Sequence, residues 1–206
     1  VMGGREPFVL RTDPRILGAS GRDCQGRAAT VEGRKWRMGA IQVRITHIFT
    51  SSGHDLKGRH GRERLSNGSE AHECVVCEAG RGLQGDRYAE KEDGHKGQVT
   101  FFNGEVLREV GEALGLKHVP PDAFRRNVIL EGVDVNDLLG RTFSLGGVRF
   151  EGSEASHPCH WMDVALVPGT RDLLKGKGGV RARILQSGIL RTGDAELAFE
   201  SVEATC

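Results

Sequence analysis

Glycine is the residue type that most constrains what this chain can fold into. It supplies 30 of the 206 residues, about twice its average share of protein sequences, and no Gly-X-Y period accompanies the excess, so a collagen-like chain is excluded. Glycine adopts backbone conformations that other residues avoid. Such an excess therefore favours either tight turns between many short strands or backbone that approaches a ligand closely.

Charge and hydropathy exclude two classes of partner. The formal net charge is +1, which gives no overall field that would concentrate nucleic acid or an anionic membrane surface. No run of about 18 apolar residues occurs that could span a bilayer. We therefore expect a soluble, cytoplasmic protein that acts on a small molecule and binds neither nucleic acid nor membrane.

The cysteines also indicate a reducing compartment. Five is an odd number, and no secretory signal pattern precedes them, so we expect free thiols rather than a disulfide framework. The five are Cys24, Cys74, Cys77, Cys159 and Cys206.

Residues 1–37 differ from the rest of the chain in charge and in pattern. They carry eight basic and four acidic side chains, and no hydrophobic period precedes Met38. We predict a basic, disordered leader over 1–37 and one domain over 38–206, with Met38 as a candidate natural start. A mitochondrial transit peptide is the alternative, which the four acidic residues disfavour.

Alternating hydrophobicity along the domain predicts a mainly β protein. A two-residue hairpin turn is expected at Gly146-Gly147, and one longer helix between its N-cap Asn103 and its stop Gly115. Short helices are predicted over 160–166 and 170–174. The predicted strands cover 41–49, 73–78, 98–102, 127–130, 142–145, 148–151, 180–186 and 195–202. Many short strands with few helices predict a β-barrel.

Two cysteine motifs could carry chemistry. Cys74-Val-Val-Cys77 has a zinc or redox spacing, but no second ligand pair follows, so two ordinary strand residues are the favoured interpretation. Cys159 lies in His-Pro-Cys-His, just before a predicted helix, where neighbouring imidazoles and the helix start favour the reactive thiolate. A buried, inert cysteine is an equal alternative at that position.

Glycine and basic residues cluster in three segments that could bind an anion through backbone amides and guanidinium groups. None matches the phosphate loop or the dinucleotide fingerprint, and each alone is better interpreted as a solvated turn. Together with a free thiol they indicate a soft metal on a phosphorylated organic cofactor. The segments are 81–87, 125–127 and 175–179 with Arg181 and Arg183.

The order of these motifs resembles that of a MOSC domain, named for the C-terminal region of molybdenum cofactor sulfurases. The resemblance covers about residues 41–199, and the loop with His54 and His60 is similar to that of standalone bacterial members. It implies a β-barrel similar in fold to the one inserted in pyruvate kinase. It also implies that the barrel of this chain binds a molybdopterin-type cofactor. The matching segments are 82–87 (GLQGDR), 96–102 (KGQVTFF), 125–128 (RRNV) with 131–132, 140–147, 158–162 (PCHWM), 176–179 (GKGG) and 188–194.

The resemblance also implies roles for individual residues. Cys159 is the expected protein ligand to molybdenum. Arg87, Arg126 and Asn127 match motif positions near the pterin and its phosphate. The remaining expected cofactor-binding residues are Gly85, Asp86, Gly178, Gly179 and Arg181. His157 stands where many relatives carry arginine, which leaves the substrate and the electron partner open, and His54 and His60 are interpreted as exposed loop residues.

The function implied is a molybdenum-dependent oxidoreductase that reduces N-hydroxylated compounds. The chain has neither a flavin fingerprint nor an iron–sulfur cysteine run, so an external reductase would supply electrons. The first alternative is a non-catalytic carrier of molybdenum cofactor, or of sulfur as a Cys159 persulfide received from a sulfur donor, and pyridoxal phosphate is not expected on this chain alone. The second is a zinc-stabilised binding module built on Cys74 and Cys77.

The glycine excess thus divides into two uses. Turns such as Gly146-Gly147 take one share, and the segments 80–85 and 176–179 take a ligand-facing share. We expect Gly85→Ala or Gly179→Ala to lose the cofactor while the fold stays intact.

Overall fold

A computed structural model describes residues 21–22, 28–29, 39–54, 65, 67–89, 91 and 94–200. Over these residues the strands are β1 Gly21–Arg22, β2 Ala28–Ala29, β3 Ile41–Thr50, β4 Glu70–His72, β5 Cys74–Glu78, β6 Gly82–Leu83, β7 Val99–Asn103, β8 Val128–Glu131, β9 Thr142–Leu145, β10 Val148–Ala155, β11 Val180–Gln186, β12 Gly188–Arg191 and β13 Gly193–Phe199. The helices are α1 Gly104–Ala113, α2 Trp161–Ala165 and α3 Thr170–Leu173, with a 3-10 helix at Val135–Leu138.

Seven of these strands close into a barrel, as the sequence predicted. Their order is β13, β9, β10, β11, β7, β8 and β3, and β3 pairs in turn with β13. All pairs are antiparallel except β7 with β8. That parallel pair requires a long crossover connection, and α1 lies within it. Strand β4 extends the sheet from β3, and β12, β5 and β6 form a separate sheet.

Alternation of side chains along β11 shows how the barrel is filled. Val180, Ala182 and Ile184 are buried, whereas Arg181 and Arg183 between them are partly exposed, because successive strand residues point to opposite faces. The interior also contains three phenylalanine rings in mutual contact, with centroids 5.2 to 5.6 Å apart. These are Phe101, Phe143 and Phe150.

A second apolar cluster covers the outside of the barrel wall. Phe102 belongs to it while its neighbour Phe101 faces the interior, so β7 is buried on both faces. The residues that α1 contributes are Val106, Leu107 and Val110, and those of α2 are Trp161 and Met162. This layer fixes the short helix that follows Cys159.

Local predictions hold at most turns, and two details differ. Gly146 and Gly147 both have positive φ, 55° and 85°, and join β9 to β10 as a two-residue hairpin. Asn103 does take the N-cap position of α1, but its side chain makes no cap bond. It instead donates to the carbonyl of Val133 and accepts from the amide of Val135.

Gly188, which lies between the predicted strands 180–186 and 195–202, begins strand β12 and pairs with Cys77 of β5. A Cβ there would lie 3.0 Å from a methyl carbon of Val148, so the glycine permits close packing of the small sheet on the barrel. The four residues of β12 begin with a glycine and show no strand pattern in the sequence.

The expected leader falls largely outside the described residues. Within it the structure describes only the two-residue pairing of β1 with β2. None of the helices described is long and apolar enough to cross a membrane.

Candidate functional site

Cys159 lies in the connection between β10 and α2. Its thiol is free and the residue is exposed, so the alternative of a buried, inert cysteine does not hold. The Cys159 carbonyl accepts a hydrogen bond from Met162 N at 2.9 Å, and the buried side chain of Met162 anchors this turn in the second apolar cluster. Because α2 has only five residues, its dipole contributes little, and any stabilisation of a thiolate has to come from nearby cations.

Gly178 and Gly179 lie directly against the segment that leads to Cys159. Ser156 N donates to Gly179 O at 2.8 Å. A Cβ on Gly178 would overlap the carbonyl oxygen of Ser156, and one on Gly179, where φ is +93°, would overlap the carbonyl oxygen of Phe101. Both positions therefore need glycine for close backbone approach within the protein, and we no longer expect Gly179→Ala to leave the fold intact.

Arg126 is held at this glycine pair without a carboxylate. Its Nε donates to Gly178 O at 2.8 Å and its Nη1 to Phe124 O at 3.0 Å. Among the residues described, no acidic side chain makes an ion pair with it. Burial, followed by the positive charge of Arg181, lowers the pKa of Arg126 from 12.5 to about 10, while Cys159 acts in the opposite direction.

Arg87 adds a second cation to the same neighbourhood, since its charge also lowers the pKa of Arg126. Its side chain is only 15% exposed and lies 3.7 Å from Asp86 Oδ2. Its Nε is buried with no hydrogen-bond partner in the described part of the chain. The guanidinium also stacks over the Tyr88 ring, 4.5 Å from its centroid, which fixes the side chain against that ring.

Arg181 completes what we call the arginine cluster, defined as Arg87, Arg126 and Arg181. It faces outward from β11 and donates through Nη1 to Glu154 Oε2 at 3.1 Å, with both side chains nearly half exposed. The cluster thus brings together three residues from segments that are far apart in the sequence. Two neighbouring carboxylates, Asp86 and Glu154, leave it with an excess positive charge.

A buried hydrogen-bond network lies beside the cluster. Asn127 Oδ1 accepts from the amide and the hydroxyl of Thr100, and its Nδ2 donates to Phe49 O and to Asp86 Oδ2, both at 3.1 Å. These four bonds use the full capacity of the amide. Asp86 also accepts from the amides of Ser51 and Tyr88 at 3.0 Å. The bond between Asp86 and Asn127 therefore links the two turns that carry Arg87 and Arg126.

That network changes the roles available to two predicted site residues. Asp86 and Asn127 are 2% and 4% exposed, and their side chains are already satisfied within the protein. Direct contact of either with a cofactor stays a prediction, while the geometry makes them positioning groups for the adjacent arginines. Gly85, with φ +83°, sets the turn before Asp86 and has only Thr50 Oγ1 near its missing Cβ, at 4.0 Å.

Arg125, which the sequence placed next to the site without a role, holds the neighbouring loop. It is the non-glycine residue with positive φ, 53°, in the part of the chain described. Its guanidinium donates to Asn67 O and Gly53 O, each at 2.8 Å, and so ties the two ends of the loop together. His54 is exposed at one end of that loop, and His60 lies outside the described residues.

Two further residues of the site, Tyr88 and Ser156, gave little signal in the sequence. Tyr88 contacts Arg87, and its ring also meets Lys91 at 4.5 Å and stacks on His95 at 5.9 Å. Ser156 is buried, and its hydroxyl has no partner in the described structure. Its position three residues before Cys159 was the available clue, but the burial of a hydroxyl depends on tertiary packing.

The zinc hypothesis receives no support from the other cysteine motif. Cys77 is fully buried, and burial raises the pKa of its thiol from 9.0 to about 12, which disfavours the thiolate that binds metals. Cys74 is disulfide-bonded, which corrects the expectation of free thiols for that residue. Within the described ranges, no three histidine, cysteine or acidic side chains group as metal ligands.

The fold and site together define a class of protein: a closed β-barrel with an exposed cysteine beside an electropositive, glycine-lined surface. The MOSC domain family model matches residues 88–195, a range that includes Cys159 and the arginines at 126 and 181. The chain belongs to the MOSC domain family, which is associated with the molybdenum cofactor. No curated protein sequence matches the chain.

Solved structures with the same fold come from several bacteria. The YuaD protein from Bacillus subtilis superposes with a TM-score of 0.62 at 15% identity, over 79% of this chain and 98% of that one. YiiM from Geobacillus stearothermophilus gives 0.56 at 21%, over 79% and 78%. YiiM from Escherichia coli gives 0.55 at 17%, over 80% and 72%. At these identities the likeness establishes the shared fold.

Proposed function

We propose that this protein is a molybdenum cofactor-dependent oxidoreductase that reduces N-hydroxylated compounds, with Cys159 as the protein ligand to the metal. One observation carries the proposal. The exposed, free thiol of Cys159 lies in the electrostatic neighbourhood of Arg126, a cation that has no carboxylate partner among the residues described. A soft ligand beside uncompensated positive charge suits a metal bound to an anionic organic cofactor.

The residues present fit such a group in three respects. Cys159 offers the thiol, and the arginine cluster offers charge-assisted hydrogen bonds to a phosphate. Gly178 and Gly179 place backbone without side chains beside Arg126. The buried and unpartnered Nε of Arg87 is a donor that a ligand would satisfy. Asp86 and Asn127 would hold Arg87 and Arg126 in place beneath the cofactor.

The reaction consumes two electrons and two protons, because an N–OH group becomes N–H and its oxygen leaves as water. The cofactor, when bound, supplies the metal that accepts the oxygen atom and passes on the electrons. His157 and His160 are exposed on either side of Cys159, and their imidazole groups can carry protons to the departing oxygen. The electrons come from an external reductase, and we place the reaction in the cytoplasm.

The test measures molybdenum and pterin in the purified protein and assays reduction of an N-hydroxylated purine with a chemical reductant, which removes dependence on an unknown partner. We expect both components to be present and Cys159→Ala to lose the metal and the activity. Cys77→Ala is the matched control, since it removes the other thiol known to be free, and should retain both. A loaded protein without activity, or full activity in Cys159→Ala, would contradict the proposal.

The alternative of a carrier shares the same residue. An exposed thiol that is open to a partner could receive persulfide sulfur from a donor protein, or hold the cofactor for another enzyme. Persulfide on Cys159 after incubation with a desulfurase, together with no reductase activity of cofactor-loaded protein, would favour that function.

A further inference from the structure

The hydroxyl of Ser156 is the starting point. The residue is 4% exposed, and its Oγ makes no hydrogen bond within the described part of the chain. A buried polar group without a partner destabilises a fold, so native structures rarely keep one without a reason. A bound ligand that hydrogen-bonds to the Ser156 hydroxyl would provide that reason.

Ser156 lies against the same two glycines that hold Arg126. Its amide donates to Gly179 O, and its carbonyl oxygen packs on the α-carbon of Gly178. Arg126 Nε donates to Gly178 O at 2.8 Å. The backbone of Ser156 and the guanidinium of Arg126 are therefore both held against Gly178-Gly179.

A second unsatisfied donor and a further positive charge lie in the neighbourhood of Arg126. Arg87 Nε is buried without a partner in the structure described, and Arg126 is bonded to backbone carbonyls rather than to a carboxylate. Asp86, the acid nearest to Arg87, already accepts hydrogen bonds from Ser51, Tyr88 and Asn127. Guanidinium and hydroxyl donors with an excess positive charge are complementary to a tetrahedral oxyanion, which offers acceptors in several directions.

We propose that Ser156, Arg87 and Arg126 form a binding site for a tetrahedral oxyanion, and that free inorganic phosphate fills this site when the protein holds no cofactor. A terminal phosphate on the cofactor offers the same chemistry. Inorganic phosphate and the cofactor therefore compete, and this second statement alone rests on the proposed function. Phosphate concentration would then oppose cofactor loading.

The experiment uses the full chain, produced in a host that cannot synthesise the cofactor. Inorganic phosphate is titrated by calorimetry, against sodium chloride of equal ionic strength, and thermal unfolding is recorded with and without phosphate. We expect Ser156→Ala to weaken phosphate binding about three- to tenfold and Arg126→Gln by at least about tenfold, as for the loss of a neutral and a charged hydrogen bond. Arg44→Gln, which removes an exposed arginine paired with Asp194, is the charge-matched control and should bind as the wild type does.

Thermal unfolding separates a ligand-binding hydroxyl from a structural one. Without phosphate, Ser156→Ala should unfold at the same temperature as the wild type or higher, because the variant removes a group that has no partner. With phosphate, the wild type should gain more than the variant. A Ser156→Ala protein that is less stable without phosphate, or that binds phosphate as tightly as the wild type, would overturn the proposal, as would a wild type that binds no phosphate.

The source of the anion is decided by repeating the titration on cofactor-loaded protein. Loss of phosphate binding is expected if the cofactor occupies the same site, and unchanged binding would overturn the competition. Phosphate binding by a protein that never acquires molybdenum would contradict the proposed function while leaving the oxyanion site in place.

Discussion

The surroundings of Cys77 and Cys159 differ in almost every property that controls a thiol. Cys77 belongs to the apolar cluster of the barrel, is fully buried, and has a raised pKa. Cys159 is exposed between two histidines, and Arg126 lies in its electrostatic neighbourhood. Both cysteines lie in short motifs that suggested chemistry from the sequence. The difference shows that the environment, rather than the motif, decides whether a thiol is accessible to a ligand.

Gly179 lies where the barrel wall contacts the segment that leads to Cys159. Its substitution therefore has the largest expected effect. In Gly179→Ala the new Cβ would overlap the carbonyl of Phe101 in the barrel wall, at a φ of +93°. We expect a loss of about 3 kcal/mol or more in the free energy of unfolding, together with loss of the cofactor. Urea unfolding measures the first quantity and metal analysis the second.

Gly146→Ala is the control for that substitution. Its φ is also positive, at +55°, but the nearest atom to a Cβ is a methyl carbon of Leu190 at 3.5 Å. The strain alone should cost about 1–2 kcal/mol, with the cofactor retained. Equal stability of the two variants would show that close approach at Gly179 is unimportant.

Asn127→Ala should have the next largest effect, because it breaks the network beneath the arginine cluster. The change removes bonds to Thr100, Phe49 and Asp86 and leaves buried partners unsatisfied, for an expected loss of about 2–4 kcal/mol. Cofactor content should fall as well, because Arg126 loses its positioning. Asn136→Ala, at an exposed asparagine with one bond to Gly176 O, should change stability by less than about 0.5 kcal/mol.

Exchanging each free cysteine for alanine tests the comparison directly. Cys77→Ala leaves a small cavity in the core and should lower the free energy of unfolding by about 1–2 kcal/mol, with molybdenum retained. Cys159→Ala should change stability by less than about 0.5 kcal/mol and lose the metal. Denaturant unfolding and metal content are measured on both variants. Equal losses of stability and of metal in the two variants would contradict the difference between the two cysteines.

The buried thiol of Cys77 also makes the stability of the fold depend on pH. The pKa of Cys77 is about 12 in the folded protein against an ordinary 9.0, so above pH 9 the unfolded chain releases a proton that the folded one keeps. The stabilisation is complete below pH 9 and is lost as the pH rises towards 12. Relative to Cys77→Ala, the wild type should therefore lose stability between pH 9 and 11. Parallel pH profiles of the two proteins would contradict the raised pKa.

Local patterns in the sequence predicted the elements whose causes are local. The hairpin at Gly146-Gly147 follows from two positions that need positive φ, and β11 follows from simple alternation. Strand β12 escaped prediction because a neighbouring sheet, rather than its own four residues, makes it extended. The closing pair of β3 with β13 joins segments about 150 residues apart. The many short strands and the family resemblance both predicted a barrel, but neither identified this pair.

The residues of the candidate site also differ in whether a local sequence pattern could predict them. Cys159 and the arginines were predicted as site residues because motifs keep their order along the chain. Ser156 and the function of Arg125 were not, because a buried hydroxyl without a partner and a guanidinium that ties two loop ends together exist only after packing. Asp86 and Asn127 were also predicted as site residues, but their hydrogen bonds to each other and to the backbone could not be predicted from spacing.

The pairing of β3 with β13 also determines when the protein can finish folding. During synthesis β3 emerges about 150 residues before β13, so it can pair with β8 while its other edge waits for residues 193–199. The parallel crossover between β7 and β8 adds a second non-local pairing, between segments about 25 residues apart. Such a high contact order predicts slow folding. Until the last strand arrives the apolar interior stays open to solvent, and the growing chain would depend on chaperones to avoid aggregation.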